Sequence, residues 1–174
     1  DLVPGKLSLG ILTRTLQNLL TESVSIRDMR SIAEALTDAS TRTQDPEQLT
    51  SMVRPKLGRM IMQSLVDAEN GLQVMTLEPS LEQLLHNVLQ QSQPGQPVVM
   101  EPGLADALFA GLRDGARTVE DMGHPAVLVV SPVIRGWLSK AVRFRVNDLT
   151  VLSYSEIPDD QAVKVIHTVD AKAR

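Results

Sequence analysis

The side chains best suited to chemistry in this 174-residue sequence are three histidines, two adjacent carboxylate pairs, a glycine-bounded turn and a basic cluster. His86, His124 and His167 stand far apart, with no His-x-x-x-His or His-x-Glu spacing to set ligands on one helix face. His86 falls on the polar side of its predicted helix and His124 precedes a proline at a helix end, so a structural role is expected for each. Glu120-Asp121 and Asp159-Asp160 would suit acid–base work, but both fall at predicted helix or loop ends, where carboxylates are solvated. Gly5-Lys6-Leu7-Ser8-Leu9-Gly10 has the wrong spacing for a dinucleotide turn, a P-loop or a nucleophile elbow. Arg135, Lys140, Arg143 and Arg145 form the best anion-site candidate. At about 100° per residue they spread around a helix, which predicts a solvated surface with snorkelling stems.

Nucleic acid is disfavoured as a partner. Seventeen basic against twenty-one acidic residues give a net charge of −4. The two predicted helices spanning Ser8 to Ala39 could pass for a helix-turn-helix. The would-be reading helix, however, sets Arg27 and Arg30 against Asp28, Glu34 and Asp38, and on balance repels phosphate.

The elements that must position these residues follow from periodicity. Hydrophobic residues make up 43% and charged residues 22%, an ordinary globular balance that excludes disorder and collagen-like repeats. No apolar run approaches the roughly 18 residues of a membrane span. Cysteine is absent, which excludes disulfides and thiolate metal sites. With four aromatics only (Phe109, Trp137, Phe144, Tyr154), the core must be aliphatic. The opening Asp1-Leu2-Val3-Pro4, without initiator Met or signal peptide, reads as part of a longer protein.

Ser8 caps a predicted helix whose stripe is Leu9, Leu12, Leu16 and Leu19. Ser25, with Asp28 three residues on and a Val24–Met29 staple, predicts a second start, so Ser25→Ala should cost about 1 kcal/mol. Asp45-Pro46-Glu47 opens a third helix, which Pro55 should interrupt before Leu57, Met60, Ile61 and Leu65 resume the spacing. Beyond Asn70-Gly71 the period changes. Strands are predicted at 72–77, 126–130, 149–154 and 163–169, with helices opening at Glu78-Pro79, Glu101-Pro102 and Ser131-Pro132 and a polar loop at 90–97. The expected fold class is α+β: a helical subdomain over residues 1–70, then a small α/β subdomain over 71–174 with a mixed sheet of about four strands.

Several stretches, in order, resemble one family. They are Leu2-Val3-Pro4, Leu16-Gln17-Asn18-Leu19-Leu20, Val24-Ser25-Ile26-Arg27-Asp28-Met29-Arg30 and Leu57-Gly58-Arg59. Glu101-Pro102-Gly103-Leu104-Ala105, Ser131-Pro132-Val133-Ile134-Arg135 and Val151-Leu152-Ser153-Tyr154-Ser155-Glu156-Ile157-Pro158 complete the set. Together they resemble the C-terminal cytoplasmic region of the large export-gate subunit of flagellar and virulence type III secretion systems (the FHIPEP family), with a flagellar leaning. The resemblance implies the last two of four cytoplasmic subdomains of an inner-membrane protein. It also implies a nine-membered ring on the cytoplasmic side that receives export substrates and chaperone–substrate complexes beside other export-apparatus proteins. No enzyme activity and no cofactor are implied.

Carried over residue by residue, the resemblance places Leu9 and Gly10 at the edge of a chaperone-docking cleft, although the family often has Thr where Gly10 stands. It makes Arg27, Asp28 and Arg30 candidates for contacts between ring subunits. Leu12, Leu16 and Leu19 read as core. The alternative from another class is a small cytosolic α/β enzyme without a linear motif, for instance with His124 meeting Asp160.

Overall fold

The computed structural model describes residues 1–93 and 95–171, so Pro94 of the predicted loop and the last three residues of the predicted second subdomain lie outside it. The chain divides into two compact units. Unit 1 comprises Asp1–Ser64 with Ser155–Asp159, and unit 2 comprises Leu65–Tyr154 with Asp160–Arg174.

Unit 1 is helical. Helix α1 (Leu9–Thr21) starts at Ser8, whose hydroxyl accepts the Ile11 N–H at 3.2 Å. Leu19 is fully buried, while Leu12 and Leu16 are half-buried. Helix α3 (Pro46–Val53) is capped by Asp45 and has proline in its first turn, where a missing N–H costs nothing. α1 and α2 (Met29–Ala39) both pack on α3. Pro55 has the effect its ring dictates: Arg54–Leu57 tightens into a 3-10 turn before the short α4 (Gly58–Met62).

The start of α2 differs from the reading above. Its N-cap is Asp28, whose carboxylate accepts the Ser31 N–H at 3.1 Å. Ser25 instead takes the Arg27 N–H at 3.3 Å in a local turn. A carboxylate suits the positive helix N-terminus better than a hydroxyl, and Met29 becomes the first helical residue, 41% exposed, not the second half of a staple. Ser25→Ala is therefore expected to leave the melting curve unchanged, and Asp28→Ala to lower it. Hydrogen bonds from the Ser31 side chain and backbone hold the Asp28 carboxyl below its ordinary range. Its stabilisation is thus complete above the unfolded value near about pH 4 and is lost as pH falls through the lowered folded value. Melts of wild type and Asp28→Ala should differ at neutral pH and converge in acid. A gap that persists in acid would place the cap elsewhere.

Unit 2 carries the sheet. Strands β1 (Leu72–Leu77), β2 (Val127–Val130), β3 (Thr150–Ser153) and β4 (Val163–Val169) run in the order β3-β2-β1-β4. All three pairings are parallel, so the sheet is not mixed as expected. The nine residues between β3 and β4 are too few for the usual helical crossover, and Ile157-Pro158-Asp159-Asp160 reads locally as a tight return. Extended chain nevertheless reaches about 30 Å over nine residues, enough for β4 to lie at the opposite edge of the sheet from β3; the connection opens with a 3-10 turn (Tyr154–Glu156). Gly71 makes the entry to β1 possible. It sits at φ +70°, exchanges both backbone hydrogen bonds with Asp67, and leaves no room for a Cβ beside the Ala162 carbonyl.

Helices α5 (Pro79–Gln91), α6 (Pro102–Asp121) and α7 (Pro132–Val142) each begin with proline and share one apolar cluster with the strands. Leu85, Leu108, Leu112, Ile134 and Leu138 meet Met75, Leu128, Val130 and Val151 there, all buried. The core is aliphatic, as four aromatics required.

Candidate functional site

Among the described residues, no group of His, Cys, Asp or Glu is placed to hold a metal ion, and no helix is long and apolar enough to cross a membrane. The chain offers surface instead. In unit 1, Leu9 opens α1 at 67% exposure with Gly10 exposed beside it, and Leu20 also faces solvent. Arg27 and Arg30 project from the segment that enters α2. Arg30 Nε donates to Glu34 Oε1 at 3.1 Å on the exposed face, a pairing of little energetic weight. Asp28, the third candidate there, is committed to its cap. Leu9 and Gly10 lie in the first turn of α1, and the Arg27 segment follows the far end of that 13-residue helix.

Beneath this surface lies a group that periodicity hides. The Arg54 guanidinium is buried, with Nε donating to both Glu156 carboxylate oxygens at 3.0 and 2.9 Å and Nη1 to Glu22 Oε2 at 2.6 Å. The available signal was an arginine inside the stripe of Leu49, Val53, Leu57 and Ile61. Its partner lies 102 residues away.

Unit 2 gathers a second set at the carboxyl edge of its sheet. Pro79, Ser131 and Tyr154, each just past a strand end, surround a cavity of about 320 Å³ with Glu82, Gln83 and His86 of α5. Glu82 Oε1 accepts the Ser131 N–H at 2.7 Å, and His86 Nε2 lies 2.9 Å from the Gln90 side-chain nitrogen. His124 reaches Asp67 electrostatically. The Asp67 carboxyl is held below its ordinary range first by the Asn70 side chain, then by the Glu69 N–H, with the imidazole adding to both.

The basic cluster needs correction. Arg135 is not solvated: it is buried, and Nη1 donates to the Val151 carbonyl at 3.3 Å. It lies beside Ile134 and one turn before Leu138, so the helix carries it inward. Arg145 lies over the Phe109 ring, 4.7 Å from its centroid, where the cation meets the negative face of the π system.

Comparison with known proteins adds a family. The FHIPEP family profile matches residues 1–162. The flagellar biosynthesis protein FlhA of Salmonella typhimurium is 41% identical over 172 residues, covering 99% of this chain and 24% of that protein. The chain thus spans about a quarter of the length of the curated relatives it matches. Among solved structures, the nonameric EPEC SctV-C superposes with a TM-score of 0.82 at 27% identity, over 94% of this chain and 49% of that one. The Chlamydia pneumoniae CdsV and CdsO complex gives 0.85 at 24% identity, over 95% and 48%, a likeness of fold.

Proposed function

The chain belongs to the FHIPEP family, and we propose that it is the closing part of the cytoplasmic region of a flagellar type III protein export gate. In this reading residues 1–70 and 71–174 are successive subdomains of a ring-forming platform on the cytoplasmic side of the bacterial inner membrane. The platform receives export substrates and chaperone–substrate complexes. The observation that carries the reading is 41% identity to a flagellar biosynthesis protein across essentially the whole chain. The likeness to a nonameric cytosolic domain supports a ring of nine. The surfaces agree with a docking role: Leu9, Leu20 and Met29 are large apolar side chains left exposed.

Arg27 and Arg30 are proposed to face the neighbouring subunit, with Asp28 holding the segment that presents them. Charge reversal at both positions should leave the melting temperature unchanged and raise the concentration for half-assembly of the full cytoplasmic region about tenfold, because like charges brought together across an interface are costly. Analytical ultracentrifugation tests this, and intact rings at wild-type concentration would remove both residues from the interface. Leu9 and Gly10 are proposed as the rim of the docking cleft, whose remainder lies outside this chain. Calorimetry should accordingly find this chain binding a flagellar chaperone–substrate complex at least about a hundredfold more weakly than the full cytoplasmic region, a difference of about 2.8 kcal/mol. Equal affinity would move the cleft into this chain.

A further inference from the structure

We propose that the cavity at the carboxyl edge of the unit 2 sheet is a receptor for a basic side chain, arginine or lysine, of a partner protein. Its location fits a binding role, since the strand ends of open parallel sheets are where such folds form crevices. Its volume, about 320 Å³, fits one long side chain.

The chemistry of the lining selects the charge. Glu82 is half-buried in the wall, and no ion pair to it exists among the described residues. Its Oε1 is spent on the Ser131 N–H, which leaves Oε2 to the cavity. Tyr154, 63% exposed, supplies an aromatic face at the rim, and Gln83 supplies an amide carbonyl. No arginine or lysine lines the cavity. The N-termini of α5 and α7 open nearby and by themselves favour an anion, but Glu82 already answers them. A second carboxylate or phosphate would meet that full negative charge, and a neutral group would leave it unanswered. A guanidinium gains a charge-assisted hydrogen bond from the carboxylate and an attractive ring face together. The lining also holds an apolar ring, Pro79 at the first turn of α5, against which the inserted stem would pack.

The test uses the whole 174-residue protein and two probes, Nα-acetyl-arginine methylamide and its neutral near-isostere with citrulline in place of arginine. The arginine probe should give saturable NMR shifts confined to residues 79–86, Ser131 and Tyr154, and the citrulline probe should bind at least about tenfold more weakly. Glu82→Gln keeps an oxygen for the Ser131 N–H, so the fold is expected to stand with an unchanged melt while the arginine response falls to the citrulline level. Tyr154→Leu should weaken the arginine probe severalfold by a separate route. Equal responses to the two probes, or an arginine response untouched by Glu82→Gln, would overturn the proposal. So would shifts that never saturate. The export-gate reading is unaffected by any of these outcomes, because it rests on the family relationship and on ring assembly.

Discussion

Arg54→Ala is expected to remove about 3–5 kcal/mol of stability, a large part of the roughly 5–15 kcal/mol that keeps a domain folded. The guanidinium is 2% exposed and is shared between Glu156, equally buried, and Glu22, 13% exposed at the side chain. Removing it leaves two carboxylates close together, one of them far from water. Two charges in the interior repel strongly, and the buried one has no solvent to screen it. The carboxylates themselves should rank by burial, with Glu156→Gln costing more than Glu22→Gln. Lysine is no substitute at position 54, because one ammonium lacks the planar fork that reaches both partners. Replacing Arg54 and Glu156 together by leucine should cost less than Arg54→Ala alone, since the double change removes the buried charge along with its partner. Urea unfolding followed by circular dichroism measures all of these. A loss below about 1 kcal/mol for Arg54→Ala would mean that water reaches the site.

That ion group also marks where sequence reading stopped. Helix α1 and strands β1 and β4 were legible from short-range signals: a serine before an i, i+3, i+7 stripe, and short β-compatible runs bounded by turns. What failed was nonlocal or depended on choosing between two adequate local signals. Ser25 and Asp28 both make good caps, and only the folded turn decides for Asp28. The parallel placement of β4 is set by its pairing with β1, some ninety residues earlier in the chain, which no local signal states. Arg135 lay on an apolar face that the helical period does reveal, but its charge argued for solvent. Leu9, Gly10, Arg27 and Arg30 came from resemblance, and their exposure follows from packing that no linear pattern states. The cavity in unit 2 joins three separate strand ends, with Glu82 and Ser131 49 residues apart.

Gly58→Ala carries the second large effect, and two principles give it opposite signs. Gly58 has φ −53° and ψ −47°, ordinary helical geometry, at the start of α4. On propensity alone, alanine there should stabilise by up to about 1 kcal/mol. The surroundings reverse the sign. A Cβ at position 58 would lie well inside 3.0 Å of the Glu156 carbonyl oxygen, with Pro158 Cδ at 3.8 Å. The obstacle is backbone, so it cannot be relieved by rotating a side chain. The carbonyl also belongs to the residue that Arg54 holds, so moving it strains the buried ion group. Overpacking alone costs about 1–3 kcal/mol, and the strained ion group adds to that. Thermal unfolding should therefore show Gly58→Ala clearly destabilised. The two substitutions should not add: with Arg54 already alanine, the 155–159 segment is free to shift, and Gly58→Ala should then cost less than in the wild type. Strict additivity would separate the steric contact from the ion group. A neutral or stabilising Gly58→Ala would show that Ser155–Asp159 yields easily, and the glycine of Leu57-Gly58-Arg59 would lose its physical reason.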